Sequence, residues 1–172
     1  MTTNSQTPGN RAVPSLTLER LRELLLYDPV TGVFTRKVRV RSQCAGGRLS
    51  SKDGWGYHRV MIDRRNYRLS RLAWFYVHGR WPIGDIDHIN GVPADNAISN
   101  LREATKSQNS ANMRPRRALK GATFDKRRRT WRAKIGVNGE SISLGTFGSE
   151  QDAHEAYAVA ATKYYGQFAR AK

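Results

Sequence analysis

A group of carboxylate, imidazole and amide side chains lies between residues 85 and 109. Asp87 stands directly beside His88, and Asn100 and Asn109 follow twelve and twenty-one residues after the histidine. A hard cation such as Mg²⁺ takes oxygen ligands and keeps several waters, so one carboxylate and one amide oxygen can hold it beside a phosphate. These residue types therefore indicate hydrolysis of a phosphodiester bond.

Each of these side chains can be given a role in that reaction. We expect Asp87 and Asn109 to bind the metal, and His88 to act as general base because an imidazole titrates near neutral pH. Successive residues of a strand point to opposite sides, so Asp87 can face the metal while His88 faces the attacking water. The amide of Asn100 can fix the imidazole ring.

Ordinary structural roles are the alternative for the same residues. Asn90 and Gly91 favour a turn, and Asn100 can cap a helix. Each of these roles is plausible singly. Catalysis explains all of the residues together, at these spacings and in a strongly basic chain.

The same motifs resemble the HNH nucleases of phages and mobile introns, and the likeness is carried by residues 87–91, 95–96, 100–105 and 109 and, upstream, by 27–35 and 68–74. The resemblance implies a ββα-metal unit, in which two strands and a helix surround one divalent ion. It also implies that His88 is the base, that Asn100 positions it and that Asn109 binds the metal. Because Asn109 stands where many members have histidine, this is an H-N-N variant, and we expect Mg²⁺ or another divalent cation such as Mn²⁺ as cofactor.

The elements around this motif can be read from hydrophobic spacing. Leucines from Thr17 to Tyr27 recur at helical intervals, and the turn at residues 28–32 precedes a predicted strand at 33–36. Residues 57–69 predict a hairpin, and residues 71–78 predict a helix that stops at Gly79. Polar composition predicts a flexible tail over residues 1–14 and a linker over 114–119.

Residues 130–137 alternate apolar and basic side chains, which predicts a strand with one apolar and one basic face. Asn138-Gly139 predicts a hairpin turn, the apolar alternation resumes at 141–144, and residues 150–165 change to a helical pattern. We therefore expect a sheet whose apolar face is covered by one helix.

This C-terminal region resembles the APETALA-type domain of ethylene-response factors at residues 120–125, 130–135, 144–147, 153–157 and 165–169. The resemblance implies a three-stranded antiparallel sheet backed by one helix, with the open face of the sheet in the DNA major groove. The candidate DNA contacts on that face and its first hairpin are Thr123, Arg127, Arg128, Arg129, Arg132, Lys134, Ser141 and Ser143.

The charge of the chain favours a polyanionic partner. Thirty Lys and Arg residues stand against fourteen Asp and Glu, for a net charge of +16 over 172 residues. No apolar run is long enough to cross a bilayer, and Met1 to Pro14 lacks the apolar centre of a signal peptide. The single Cys44 excludes an intramolecular disulfide. We expect double-stranded DNA as partner, no membrane, and a cytoplasmic location, in the host cell if a phage encodes the chain.

Together these patterns predict an α+β protein with an HNH nuclease domain at residues 15–113 and a DNA-binding domain at 120–172. The predicted function is a metal-dependent, site-preferring DNA endonuclease of homing type. With one Asp-His-Asn-Asn set we expect a monomer that nicks one strand, and a metal centre that survives removal of residues 118–172. A non-enzymatic DNA-binding regulator is the alternative, and an RNA-binding protein is disfavoured because the sequence offers no aromatic stacking platform.

Overall fold

The computed structural model describes residues 16–39, 44–113 and 119–170. The tail predicted at 1–14 and nearly all of the linker predicted at 114–119 lie outside these residues. The described helices and strands, in chain order, are α1 (Leu18–Leu24), β1 (Leu25–Asp28), β2 (Val33–Arg36), β3 (Arg59–Ile62), β4 (Arg65–Arg68), α2 (Leu69–His78), β5 (Asp85–His88), β6 (Leu101–Ala104), α3 (Lys106–Asn112), β7 (Ala122–Asp125), β8 (Thr130–Val137), β9 (Glu140–Phe147) and α4 (Glu150–Tyr165). Short 3-10 helices occupy Ile98–Asn100 and Gly166–Phe168.

The first helix is shorter than its leucine spacing predicts. It begins after the Thr17 cap and ends at Leu24, whereas the predicted helix continued to Tyr27. Residues 25–28 instead alternate buried and exposed side chains and pair with β2. The prediction was wrong there because Leu25 and Tyr27 satisfy both the helical and the alternating pattern, and pairing with β2 decides between them.

The other predicted elements are confirmed with small shifts of their ends. The hairpin of β3 and β4 turns through Asp63 and Arg64, and α2 begins at Leu69 and ends before Gly79. The strand at 130–137 and the helix at 150–165 have the predicted bounds. In the C-terminal sheet the strand order is β7-β8-β9, and every pairing is antiparallel. The predicted α+β class is therefore confirmed.

The buried side chains of the described residues form two apolar clusters. The first lies among α1, α2 and strands β1 to β6, around Phe34 and Leu72. The second contains Ile135 and Tyr157 of the C-terminal region together with Ala104 of β6 and Ala111 of α3. The region predicted as a separate DNA-binding domain thus shares its core with the strand and helix that follow the Asp-His pair.

Candidate active site

A hairpin and a helix position the candidate residues. Strand β5 pairs antiparallel with β6, and this register sets Asp87 directly opposite Arg102. Helix α3 follows β6 at once and begins with a capping box, in which Thr105 accepts from the Gln108 amide and Gln108 accepts from the Thr105 amide. This cap fixes where α3 starts, so Asn109 and Asn112, less than one turn apart, both reach β5.

Asp87 is buried, with 3% of its surface exposed, and both of its carboxylate oxygens have protein donors. The Nε of Arg102 donates to Oδ2 over 2.8 Å, and Nη2 lies 2.8 Å from the same oxygen. The Nδ2 of Asn112 donates to Oδ1, also over 2.8 Å. A buried charge is tolerated when it is paired and hydrogen-bonded, so these contacts hold the carboxylate in one orientation.

His88 is also buried, and its ring is held by Asn96. The Nε2 atom lies 3.3 Å from Asn96 Oδ1, and the ring centroid lies 5.7 Å from that of Tyr57. An amide oxygen only accepts hydrogen bonds, so Nε2 carries the proton and Nδ1 keeps a lone pair. Burial lowers the pKa of His88, and Asn96 and Asp87 offset this only in part. This lowered pKa favours the neutral imidazole, which is the form that a general base needs.

Asn100 contacts the loop that follows β5. Its Oδ1 accepts from the Asn90 amide over 3.0 Å, and its Nδ2 donates to Asn90 Oδ1 and to the carbonyl of Asp95. The sequence predicted that the Asn100 amide fixes the imidazole ring. In the structure Asn100 makes no hydrogen bond to this ring, and Asn96 contacts it instead. Asn100 acts on His88 only through the loop, whose residues 95 and 96 it helps to hold.

The N-terminal hairpin supports the same loop from outside. Tyr27 donates its hydroxyl hydrogen to the Asn96 carbonyl over 2.7 Å, and the Ile98 amide donates to the Pro29 carbonyl over 3.0 Å. Gly32 adopts a positive φ of 70°, and a Cβ at this position would collide with the backbone at Asn96 and Ala97. The turn predicted at residues 28–32 therefore has a function in the site, because it holds the residue that orients His88.

Asn109 is half-buried and faces the same cavity as the Asp-His pair. The cavity has a volume of about 200 Å³ and is lined by Asp87, His88, Asn109 and Asn112 and by Trp55, Tyr57, Gly91, Pro93 and Met113. The Nδ2 of Asn109 donates to Asp85 Oδ2 over 3.4 Å, and its Oδ1 accepts no hydrogen bond from the described residues. Three of the four predicted catalytic and metal residues thus line one cavity.

The oxygen atoms of this cavity suit a hard cation better than a softer one. Within residues 16–39, 44–113 and 119–170, no three His, Cys, Asp or Glu side chains form a group that could hold a metal. One carboxylate at Asp87 and one amide oxygen at Asn109 are a small set of ligands. They fit Mg²⁺, which usually keeps several waters, because Oδ1 of Asp87 accepts one hydrogen bond and retains a second lone pair.

Sequence reasoning missed Asn96 and Asn112. The sequence marked Asn96 only as part of the motif. In the structure this side chain is buried, with an exposed fraction of 2%. Asn112 donates to Asp87 and to the His88 carbonyl over 2.8 Å each. Its spacing of three residues from Asn109, on the helix that the resemblance to a ββα-metal unit implies, was the available signal, because such residues share a face.

The C-terminal sheet presents one exposed polar face. In the register of the sheet, Thr123 lies opposite Arg132, Lys134 opposite Ser143, and Ser141 opposite Gly136. The predicted DNA contacts on these strands are all exposed: Thr123, Arg132, Lys134, Ser141 and Ser143. Helix α4 covers the other face, where Ala133 and Ile135 are buried. The predicted DNA contacts of β7, β8 and β9 therefore lie on the same side of the sheet.

The first hairpin of this sheet is organised by Asp125. Its Oδ1 accepts from the backbone amides of Arg127 and Arg128 over 3.0 and 3.3 Å, and its Oδ2 lies 3.5 Å from Arg132 Nη2. Arg129 has a positive φ of 53°, which turns the chain into β8. The side chains of Arg127, Arg128 and Arg129 are exposed at the tip.

Comparison with known proteins finds similarity around the Asp-His pair. A family model described as HNH endonuclease matches residues 67–111. "Protein 3.8" of Escherichia phage T7 is 37% identical over 73 residues, which are 40% of this chain and 60% of the phage protein. The chain thus spans less than two thirds of that relative's length, and no solved structure matches it. These findings support an HNH endonuclease domain at residues 67–111 and a phage relative.

The matched range ends before part of the site described above. It contains Asp87, His88, Asn96, Asn100 and Asn109, but Asn112 lies just beyond it.

Among the described helices none is both long and apolar enough to cross a membrane.

Proposed function

We propose that this protein is a metal-dependent DNA endonuclease whose catalytic residues line the cavity between β5 and α3. The observation that carries the proposal is the adjacent, buried Asp87–His88 pair, which faces the same cavity as the Asn109 amide. The family match over residues 67–111 supports a nuclease. The net charge of +16 supports a nucleic acid as the substrate.

The proposed mechanism assigns one task to each residue of the cavity. His88 takes a proton from the attacking water at Nδ1, while Asn96 holds Nε2 and so fixes the ring. Asp87 and Asn109 would hold the divalent cation through a carboxylate and an amide oxygen. When bound, this ion stabilises the negative charge that develops on the phosphate and on the leaving oxygen.

The surroundings of Asp87 keep it in place for this role. Arg102 and Asn112 contact opposite oxygens of the carboxylate, so the side chain cannot rotate without losing a hydrogen bond. Groups that orient a metal ligand in this way commonly matter 10- to 100-fold for affinity or activity, roughly. Arg102 also offsets the carboxylate's charge, which limits the accumulation of negative charge near a phosphate.

The exposed face of the C-terminal sheet is the proposed site of DNA reading. Arg132 and Lys134 project from it beside the serines of β9, and the arginines at 127–129 stand at its edge. Arginine can read guanine bidentately, whereas lysine and scattered arginines more often hold phosphates. We propose an APETALA-type mode of binding, in which this face lies in the major groove.

We further propose that the protein is a monomeric, site-preferring enzyme of homing type that nicks one strand. The described residues contain one such Asp-His cavity, and a single-metal centre aligns one water and one leaving oxygen at a time. Two different DNA-binding surfaces within one chain suit an asymmetric DNA site better than the palindrome that a two-fold dimer reads.

A DNA-binding regulator without activity is the second candidate. The observation in its favour is that Arg102 and Asn112 already occupy both Asp87 oxygens. An ion pair at this position competes with a cation for the same carboxylate. The regulator would use the basic sheet face and keep the HNH fold as a scaffold.

Cleavage of supercoiled plasmid separates these functions. We expect the full-length protein to convert supercoiled plasmid to the open-circular form in Mg²⁺, to stop when EDTA is added, and to resume when metal is restored. Direct conversion to linear plasmid would contradict nicking. DNA binding without cleavage in Mg²⁺ or Mn²⁺ would favour the regulator.

A further inference from the structure

The side chain of Arg102 connects the catalytic cavity to the C-terminal end of the chain. Its Nε and Nη2 contact Asp87, while Nη1 donates to the Gln167 carbonyl over 3.0 Å. The guanidinium carbon lies 3.8 Å from the centroid of the Phe168 ring. A guanidinium donates in its plane and stacks through its face, so these contacts fix both the plane and the position of Arg102.

Phe168 is itself firmly placed. It is buried, belongs to the same apolar cluster as Tyr165 and Ala111, and follows α4 in the short helix Gly166–Phe168. Arg102 keeps only 15% of its side chain exposed. The Arg102–Phe168 contact is therefore largely shielded from water, which strengthens a cation–π interaction.

Arg170 makes a second connection to the same site. Its Nη2 donates to the Asn90 carbonyl over 2.9 Å, and its Nη1 lies 3.5 Å from the Asn112 carbonyl. Its backbone amide donates to the Ala111 carbonyl over 3.3 Å. Arg170 thus joins the loop after β5 to the end of α3, the elements that carry the contacts to Asp87 and His88.

Lys120 connects the start of the C-terminal region to the same helix end. Its Nζ donates to the carbonyls of Ser110, Ala111 and Met113, with distances of 3.1 Å to Ser110 and 2.7 Å to Met113. The last carbonyls of a helix have no partner within the helix, and a lysine there satisfies them. Both ends of the C-terminal region therefore contact α3.

We propose that the C-terminal region is a structural part of the catalytic centre, with Phe168 as a positioning residue that acts on Asp87 through Arg102. Phe168 and the Gln167 carbonyl hold the guanidinium, and the guanidinium holds the carboxylate. Arg170 is a second positioning residue, since it holds the loop and helix on either side of the pair. This inference rests on the proposed nuclease function.

The proposal makes the DNA-reading region necessary for the rate of cleavage as well as for affinity. It also changes an expectation from the sequence, that the metal centre survives removal of residues 118–172. That deletion removes Lys120, Phe168 and Arg170 and opens the second apolar cluster. Point variants of the full chain are therefore the appropriate test.

The first test replaces Phe168→Leu, which keeps a buried apolar side chain but removes the aromatic face. The matched control is Ile135→Val, a conservative change in the same cluster. We expect kcat to fall by about 10-fold in Phe168→Leu, with KM and DNA affinity in EDTA unchanged, and to recover in Phe168→Tyr. The control should cleave like the wild type. Equal kcat in Phe168→Leu and the control would overturn the proposal.

A second variant guards against a general loss of folding. Arg170→Gln removes contacts to the Asn90 and Asn112 carbonyls without emptying the apolar cluster. We expect it to lower kcat while the thermal unfolding midpoint stays close to that of Ile135→Val. Wild-type turnover in Arg170→Gln would refute the positioning role of Arg170.

One measurement is independent of activity. The Nε–H proton of Arg102 donates to a buried carboxylate, so in the wild type it should exchange slowly with water and give a resolved NMR signal. We expect this signal to shift and lose protection in Phe168→Leu but not in Ile135→Val. An unchanged signal would overturn the coupling even if the wild type cleaves DNA. A wild type that cleaves nothing, with the signal altered as expected, would instead refute the nuclease function alone.

Discussion

Asn112→Ala should destabilise the protein far more than the same change at the neighbouring Asn109. Asn112 is buried and donates to the Asp87 carboxylate and to the His88 carbonyl over 2.8 Å each. A hydrogen bond to a charged group contributes about 1.5–3 kcal/mol, and a neutral one contributes about 0.5–1.5 kcal/mol. Loss of both should therefore lower the free energy of unfolding by about 2–4.5 kcal/mol.

Asn109 provides the matched control on the same helix. It is half-buried and makes one long contact of 3.4 Å to Asp85, so Asn109→Ala should cost less than about 1 kcal/mol. The assay is urea unfolding followed by tryptophan fluorescence, with the midpoints compared at a common slope. Equal midpoint shifts in the two variants would show that Asn112 does not hold the buried Asp87 carboxylate in place.

Three further predictions concern metal, pH and salt. Asp87→Ala and Asn109→Ala should each shift the Mg²⁺ titration of cleavage to higher concentration, and an unchanged titration in both would remove them from the metal site. Burial lowers the pKa of His88, so the neutral base persists as pH falls. The single-turnover rate should therefore rise with pH and level off, with its inflection below about pH 6.5. An inflection at higher pH would contradict the assignment of His88 as the general base. Replacing Arg132 and Lys134 together with glutamine should reduce the slope of log affinity against log salt by about 2, whereas an unchanged slope would exclude phosphate contact there.

The C-terminal fold could be predicted because its signals are local. Alternation in residues 130–137, the Asn138-Gly139 turn and the helical spacing of residues 150–165 each specify one element without reference to the rest of the chain. Leu25 to Tyr27 could not be assigned in this way, since the same residues fit a helix or a strand. Pairing with β2 gave the answer, and such pairing depends on residues distant in sequence.

The sequence predicted part of the candidate site. Motif and spacing identified Asp87, His88 and Asn109, which the structure brings to one cavity. They did not identify Asn96 as the partner of His88, because this contact depends on how the loop folds back. The role of Phe168 was beyond any local pattern, since it depends on packing between residues 66 positions apart.

The proposed role of His88 in cleavage is tested by comparing His88→Ala with His58→Ala on one labelled DNA duplex. His58 is half-buried, lies outside the cavity, and serves as the matched histidine. We predict that wild type and His58→Ala cleave the duplex in Mg²⁺, that His88→Ala loses roughly 100-fold or more in rate, and that all three bind DNA equally in EDTA. Wild-type cleavage by His88→Ala, or equal losses in the two variants, would contradict the claim that this cavity hydrolyses DNA.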